Sequence, residues 1–356
     1  MNAPTPQQPV DGLNDDLPIT GGGHPGYSSR RTILSGMQPT GALHIGNLEG
    51  ALRNWIRLQG EYDMFCCIVD WHSLSAEYAD AGGLKDKIYQ MAVDWLASGL
   101  DPKQAAPFIQ SEVKEHAEMH LILSMLCSVP TLLRLPTYLE KKEDKGLDSY
   151  GFLGYPVLQA ADIVVYGAHK VPVGKDQSKH IWLANDLAKR FNHHYGPTLV
   201  EPEILLTKIP LIPGLDGRKM SKSLDNHIPL SATEEETTSR LKRMFTDPLK
   251  LRKGDPGRPE ICPVYKLHEL YSTADDIESS VAPPCRSGAL GCVECKGRLA
   301  KNMNLALAPI REKRIALERD PGYIWDVLRD GATRARRRAE IVMDAVRGAM
   351  KMKYHA

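Results

Sequence analysis

The stretch TILSGMQPTGALHIGNLEGALRNWIRL, Thr32 to Leu58, places a short apolar run before a loop and then a segment with helical periodicity. A strand that passes through a loop into a helix is the unit from which nucleotide-binding α/β sheets are built. Two known phosphate-binding motifs are absent. Ala42 and Leu43 stand where a P-loop needs Lys and Ser or Thr, and no G-x-G-x-x-G follows an apolar run.

The loop does carry His44 and Asn47, three residues apart around Gly46, where the helical segment begins. Side chains at i and i+3 share a face, and a helix start offers free N–H groups and the positive end of the helix dipole. These groups can hold the phosphate chain of ATP, and Gly46 lets a flat base lie against bare backbone. A helical turn with a surface histidine is the alternative for this motif alone.

Apolar runs alternate with helical patterns from residue 31 to about 215. The runs after TILSG include MFCCIVD (64–70), PFIQS (107–111) and KVPVG (170–174), with helical segments at 84–100, 117–129 and 178–192. This alternation predicts a Rossmann-like, doubly wound parallel α/β sheet, with nucleotide-binding loops after TILSG and KVPVG. Beyond Asp216 the strand signals stop, and the chain becomes charged and helix-like.

Size and charge limit the remaining possibilities. The chain has 356 residues and a net charge of +1, so a nucleic-acid partner must be held by local basic patches. No apolar run is long enough to span a bilayer, and the first 28 residues lack the basic start and apolar middle of a signal peptide. We therefore expect a cytoplasmic protein without a membrane partner, with a flexible extension at 1–28 whose partner is unknown.

A cationic loop, DGRKMSKS, follows the predicted sheet. Lys219 and Lys222 lie three residues apart, flanked by Gly217, Ser221 and Ser223, and a mobile loop of this kind can follow charge that develops on pyrophosphate. A solvated basic loop is the alternative. K-M-S-K-S far downstream of H-I-G-N resembles the paired motifs of class I aminoacyl-tRNA synthetases.

A third element, GYPVLQAADIVVYGAHKVPVGKDQ, carries polar side chains at helical spacing. Pro156 is expected at a first helical position. Tyr155, Gln159, Asp162 and Tyr166 then recur on one face, which predicts that they line a pocket. A buried indole N–H needs an acceptor, and the carboxylate of Asp162 supplies one. Gln177 can reach the substrate ammonium or ribose.

These motifs resemble those of bacterial tryptophanyl-tRNA synthetases, from SGMQPTG through IQSEVKEHAE, YPVLQAADI and LAKRFN to KMSKS. The resemblance implies ATP-dependent activation of L-tryptophan, transfer to tRNA(Trp), Mg²⁺ bound with ATP, and a homodimer. It implies a catalytic domain at 29–215 together with helices at about 317–356, and the KMSKS loop with a helical anticodon-binding domain at 216–316. A tyrosyl enzyme, or a paralogue retained as a tRNA-binding or iron–sulfur regulatory partner, is the alternative.

The same resemblance assigns roles to single residues. Asp162 receives the indole N–H, Tyr155 and Gln177 hold the ammonium, and Gln159 stands beside the indole where many members have methionine. His44, Asn47, Lys219 and Lys222 are the catalytic set. The residues expected to contact ATP are Gln38, Pro39, Thr40, His44, Gly46, Asn47, Gly174, Lys175, Asp176, Lys219, Met220, Ser221, Lys222 and Ser223.

Four of the seven cysteines, Cys262, Cys285, Cys292 and Cys295, follow the pattern C-x22-C-x6-C-x2-C. Four thiolates from one short region form a soft tetrahedral site, and their chemistry alone does not separate Zn²⁺ from an iron–sulfur cluster. A subset of the resembled family carries a 4Fe-4S cluster on this spacing, which favours iron–sulfur with Zn²⁺ as the alternative. The remaining cysteines, at 66, 67 and 127, are expected in the core.

Overall fold

A computed structural model describes residues 30–135, 138–139, 149–174, 178–206 and 211–354. Lys175, Asp176 and Gln177, predicted to contact ATP or tryptophan, lie outside the described residues, as does the extension at 1–28. Within the described ranges, no helix is both long and apolar enough to cross a lipid bilayer.

Five parallel strands form the central sheet: β1 (Thr32–Met37), β2 (Asp63–Ile68), β3 (Ala105–Ile109), β4 (Lys170–Val173) and β5 (Glu203–Leu206). Their order is β3-β2-β1-β4-β5. The predicted doubly wound parallel sheet is therefore confirmed. Strand β5 was not predicted from the sequence; it lies at the sheet edge and is only half-buried.

Helices surround this sheet and continue beyond it. A helical segment after β1 comprises α1 (Ile45–Asn47), a π-helical turn (Leu48–Leu52) and α2 (Arg53–Leu58). The others are α3 (Asp70–Glu77), α4 (Leu84–Ser98), α5 (Glu115–Leu126), α6 (Val129–Leu133), α7 (Tyr150–Val164), α8 (Ser178–Tyr195), α9 (Glu234–Arg243), α10 (Pro263–Tyr271), α11 (Ala274–Asp276), α12 (Ala282–Arg286), α13 (Cys292–Glu318) and α14 (Pro321–Ala349).

The core lies on both faces of the sheet, since consecutive strand residues point to opposite sides. Ile33 faces a layer that contains residues of α2, α4 and α13, whereas Leu34 faces a layer that contains residues of α5, α7, α8 and α14. Both side chains are almost fully buried. Helices on both faces explain why the strands read as continuous apolar runs.

Helix α14 returns from the C-terminal region to pack on β3. A Cβ at Gly331 would lie only 1.8 Å from the carbonyl oxygen of Pro107, so glycine is needed for this approach. Nearby, Arg334 donates to the carbonyl oxygens of Pro102 and Ala105 at 2.7 and 2.9 Å. This packing supports the predicted grouping of residues 317–356 with the sheet domain. The domain boundaries themselves stay a prediction.

Two local predictions are wrong. Pro156 lies inside α7, because the helix already begins at Tyr150, where the Oγ of Ser149 accepts the N–H of Phe152 at 3.2 Å. Cys127 is half-buried, because it follows the last residue of α5. Cys66 and Cys67 are fully buried, as predicted.

Candidate functional site

The strand order reverses between β1 and β4, and this places the candidate site. From β1 the chain adds β2 and β3 on one side, whereas β4 and β5 lie on the other. In such sheets ligands bind in the crevice beyond the carboxyl ends of the strands at this reversal. Gln38 follows β1 and Gly174 follows β4, so these two predicted ATP contacts lie where the crevice opens.

The HIGN loop is held in a compact turn. The backbone N–H of His44 donates to the Oδ1 of Asn47 at 3.1 Å. A Cβ at Gly46 would lie 2.8 Å from the His44 ring and 3.4 Å from the Cβ of Met220. The bare backbone of Gly46 therefore accommodates the ring of His44 in this structure, in the space that the sequence analysis gave to a flat base.

His44 is neutral at physiological pH. Burial, together with the neighbouring His227 and Lys222, lowers the pKa of His44 to about 4. Its Nδ1 is buried and has no hydrogen-bond partner. A neutral imidazole can donate or accept a hydrogen bond at a phosphate without carrying positive charge.

The HIGN loop pairs with the chain that follows KMSKS. The N–H of Ile45 donates to the carbonyl oxygen of Ile228 at 3.0 Å, and the N–H of Leu230 donates to that of Leu43 at 2.9 Å. This short antiparallel pairing explains how two motifs far apart in sequence meet in one place.

The KMSKS loop, Lys219 to Ser223, contacts the loop that follows β1. The ammonium of Lys222 donates to the carbonyl oxygen of Thr40 at 2.7 Å and lies 3.2 Å from its Oγ1. Lys219 and Ser223 are exposed, Ser221 is partly buried and Met220 is buried. The structure thus brings Lys222 to the predicted ATP contacts, while the side chain of Lys219 faces solvent.

Asn226, which the sequence analysis did not single out, organises this loop. Its Oδ1 accepts the N–H of Ser221 at 2.7 Å, and its Nδ2 donates to Asp216 at 2.7 Å and to the carbonyl oxygen of Lys219 at 3.1 Å. Gly214 is required beside it, since a Cβ there would lie 2.4 Å from the Asn226 side chain.

Asp162 is buried at the centre of a hydrogen-bond network. Its carboxylate accepts from Gln110 Nε2 at 2.7 and 2.8 Å, from His116 Nδ1 at 2.6 Å and from His72 Nε2 at 2.9 Å. Burial acts to raise its pKa, but His116 and His72 outweigh burial and lower the pKa of Asp162 to about 2. The carboxylate is therefore ionised and is a strong acceptor.

The other predicted pocket residues separate into two groups. Tyr155 is buried, with its ring edge-on to His72 at a centroid distance of 6.4 Å, and Gln159 is half-buried. Tyr166 does not line a pocket, which corrects the prediction. It is fully buried, stacks on Phe65 with 4.8 Å between ring centroids, and its hydroxyl donates to the Nε2 of His116 at 2.6 Å.

The three donors to Asp162 were absent from the predicted site. His72 and Gln110 follow the carboxyl ends of β2 and β3, and His116 begins the helix after β3. The crevice rule that selected the loops after β1 and β4 applies to these strands too. A polar side chain directly after a buried run was a signal for Gln110 only, since His72 and His116 lie four and seven residues beyond the ends of β2 and β3.

The four predicted metal ligands gather around one end of α13. Cys262 precedes α10, Cys285 lies in α12, and Cys292 and Cys295 occupy the first turn of α13. Burial raises the pKa of Cys295 to about 12, and the other three thiols act in the same direction. His268 Nε2 lies 3.4 Å from the Sγ of Cys295. Across the described part of the chain, no three His, Cys, Asp or Glu side chains are arranged closely enough to hold a metal ion.

Comparisons with known proteins agree with this architecture. The family described as tRNA synthetases class I (W and Y) matches residues 28–308. The tryptophan–tRNA ligase of Thermotoga maritima is 47% identical over 326 residues, which cover 90% of this chain and 99% of that protein. The tryptophan–tRNA ligase of Aquifex aeolicus is 40% identical over 392 residues, with 90% and 99% covered.

A solved structure gives the same result. The tryptophanyl-tRNA synthetase of Campylobacter jejuni, complexed with ADP and tryptophan, is 32% identical and matches with a TM-score of 0.81, covering 90% of this chain and 99% of that chain. The resemblance stated from the sequence motifs is thereby confirmed. With its parallel sheet, its paired HIGN and KMSKS loops and these relatives, the chain belongs to the family of class I tRNA synthetases for tryptophan and tyrosine.

Proposed function

We propose that the protein is a tryptophan–tRNA ligase that forms tryptophanyl-adenylate from L-tryptophan and ATP and then charges tRNA(Trp). The observation that carries this proposal is the buried, ionised carboxylate of Asp162, which is the acceptor that an indole N–H requires. Relatives that are 47% and 40% identical are tryptophan–tRNA ligases, which supports the same substrate.

In the first step the tryptophan carboxylate attacks the α-phosphorus of ATP, the bond to the β-phosphate oxygen breaks, and pyrophosphate leaves. A carboxylate is already a nucleophile, so the step needs positioning and charge stabilisation rather than a protein base. Mg²⁺ bound with ATP supplies charge neutralisation on the phosphates. In the second step a terminal ribose hydroxyl of the tRNA attacks the activated carbonyl, and AMP leaves.

The chain's own residues would divide this work between two loops. His44 and Asn47 would contact ATP from the helix start, together with Gln38, Pro39 and Thr40. Lys222 is supported as the cation nearest to them by its contact with Thr40 at 2.7 Å. Lys219 would approach the departing pyrophosphate from solvent, since its side chain is exposed. Tyr155 and Gln159 would border the indole.

We also propose that the four cysteines hold a 4Fe-4S cluster outside the ATP site, for which their side chains would have to lie closer together than they do in the described structure. None of the four is in a disulfide, and all are half-buried. Because each neighbouring thiol makes ionisation of Cys295 harder, the group would ionise together only around a cation. Iron and sulfide measured in anaerobically purified protein, with a brown colour, would support the cluster; colourless protein with one zinc would favour Zn²⁺.

A homodimer is supported by an apolar surface on α5, α6 and the start of α7. Large apolar side chains are exposed on these elements and at position 139 between α6 and α7, and exposed apolar surface is typical of protein–protein interfaces. They are Leu121, Met125, Val129, Leu133, Leu139 and Tyr150. The cytoplasmic location expected from the sequence stays a prediction, as does a partner for the N-terminal extension.

The decisive assay is amino-acid-dependent ATP–pyrophosphate exchange with each standard amino acid in turn. We expect exchange with tryptophan, and aminoacylation of tRNA(Trp) by the same preparation. Exchange driven by tyrosine and not by tryptophan would reassign the substrate within the family. No exchange with any amino acid, in folded protein that binds tRNA, would favour the regulatory paralogue.

A further inference from the structure

A second buried acid lies behind the two ATP loops. Asp94 on α4 is fully buried, and its Oδ2 accepts the backbone N–H of Leu43 at 2.5 Å. Its Oδ1 accepts from the guanidinium of Arg314, near the end of α13. Arg314 is itself buried and also contacts Gln90 and Glu318. Leu43 directly precedes His44, so this ion pair is bonded to the backbone immediately before the HIGN motif.

The same carboxylate acts on the opposite loop. Burial lowers the pKa of Lys222, and Asp94 opposes this by favouring the charged ammonium. In the other direction, burial raises the pKa of Asp94 to about 6, against the effects of Arg314, the Leu43 N–H and Lys222. Asp94 therefore bonds directly to the backbone before HIGN and influences the charge of Lys222 in the opposite loop.

Burying the Asp94–Arg314 ion pair costs free energy, because both charged groups lose their hydration. An apolar pair of the same size would not pay this desolvation cost. Stability alone does not explain the arrangement, since an apolar pair at positions 94 and 314 could fill the same space. What the ion pair provides, and an apolar pair would not, is an acceptor that holds the backbone N–H of Leu43 in place. Small displacements of groups that hold a substrate cost large factors in rate.

We propose that Asp94 is a positioning residue for ATP: clamped by Arg314, its carboxylate fixes Leu43, and through it His44, opposite Lys222. Asp94 contacts no substrate in this assignment and acts only through these neighbours. The inference rests on the proposed ATP-dependent activation and adds a buried pair from α4 and α13 that the HIGN and KMSKS motifs do not contain.

Asp94→Asn tests this directly, because the charge is lost and the single amide oxygen cannot replace both carboxylate oxygens, which accept from the Leu43 N–H and from Arg314. We expect kcat/KM for ATP in tryptophan-dependent exchange to fall about 10- to 100-fold per folded active site. The Kd for tryptophan, measured by fluorescence without ATP, should change less than about twofold. Arg314→Gln should likewise lower kcat/KM for ATP while leaving the Kd for tryptophan nearly unchanged. The double variant should have a kcat/KM for ATP no lower than that of the poorer single variant.

Asp247→Asn is the matched control. Asp247 is also a buried carboxylate, bonded to Arg258 at 2.6 Å and to the N–H groups of Leu249 and Arg258 at 2.9 Å, in the loop between α9 and α10. It should lower the melting temperature without changing kcat/KM for ATP. If Asp94→Asn does not fold, Arg314→Lys carries the same comparison.

Two results would overturn the proposal. One is unchanged kcat/KM for ATP in folded Asp94→Asn and Arg314→Gln. The other is a tryptophan Kd that weakens as much as the ATP parameter, which would indicate general loosening of the structure. If the wild-type protein shows no tryptophan-dependent exchange, the proposed function fails separately. Equilibrium dialysis of ATP alone then decides, with weaker binding in Asp94→Asn than in Asp247→Asn as the supporting result and equal binding as the refuting one.

Discussion

Replacing Asp162 by asparagine tests the candidate tryptophan pocket, and its effect can be worked out from the structure. The carboxylate accepts four contacts from three side chains, at 2.6 to 2.9 Å. Asparagine offers one oxygen acceptor, and its NH₂ group faces donors. At least one buried donor is left unpaired, at about 1–3 kcal/mol each.

The lowered pKa of Asp162 gives a second measure of the same contacts, with a defined pH dependence. The pKa of Asp162 is about 2 in the folded chain, below the ordinary value of 3.8. A lowered carboxyl pKa stabilises the folded state above about pH 4, and this contribution of about 2 kcal/mol is lost as the pH falls through 2. At pH 7 we therefore expect Asp162→Asn to lose about 2–3 kcal/mol, measured by urea unfolding, since the two figures largely describe the same hydrogen bonds.

The activity readout uses a tryptophan analogue in which sulfur replaces the indole N–H. Since Asp162 keeps its other donors, loss of one N–H is worth about 2–3 kcal/mol, or about 30- to 150-fold in kcat/KM for activation. Wild-type protein should show this discrimination, and folded Asp162→Asn should show less than about tenfold. Equal discrimination by both proteins, or none by the wild type, would refute the assignment of Asp162 as the indole acceptor.

Three further predictions concern the ATP loops. Gly46→Ala should lower kcat/KM for ATP at least about tenfold with little loss of stability, because its Cβ would stand 2.8 Å from the His44 ring; exchange kinetics and thermal melting check this. Lys222→Met should raise the KM for ATP and lower kcat, whereas Lys219→Met, with an exposed side chain, should lower kcat alone, by about 10²-fold. Because burial lowers the pKa of His44 to about 4, the charge on His44 appears only as the pH falls towards 4. The pH profile of kcat/KM for ATP should therefore show no difference in titration between wild type and His44→Gln from pH 6 to 8.

Asp162 also contributes to the stability of the fold. If Asp162 served only as the acceptor for the indole N–H, Asp162→Ala would lower tryptophan activation much more than it would lower the stability of the fold. Its contacts with Gln110, His116 and His72 make it part of the packed interior as well. Asp162→Ala should therefore damage both, which is why asparagine and a substrate analogue form the better test.

Sequence reasoning succeeded where the signal is local. Buried parallel strands are continuous apolar runs, and the HIGN and KMSKS motifs are contiguous strings. It failed where the arrangement depends on distant residues, as for Asp94 and Arg314, which are 220 positions apart. Tyr166 shows a different limit: helical spacing from Asp162 placed it on the pocket face, but α7 ends at Val164, so that spacing no longer holds at position 166.

Helix α13 contains 27 residues, which corresponds to about 40 Å of continuous backbone. Two of the four cysteines lie at its first turn, and Arg314 lies close to its last. A movement at the cysteine end of the helix can therefore reach the Arg314 end. Pro309 lies between the two ends, and its missing N–H weakens the backbone hydrogen bonding there. We expect alkylation of the cysteines to alter hydrogen exchange at the Leu43 amide; unchanged exchange there would show that the two ends move independently.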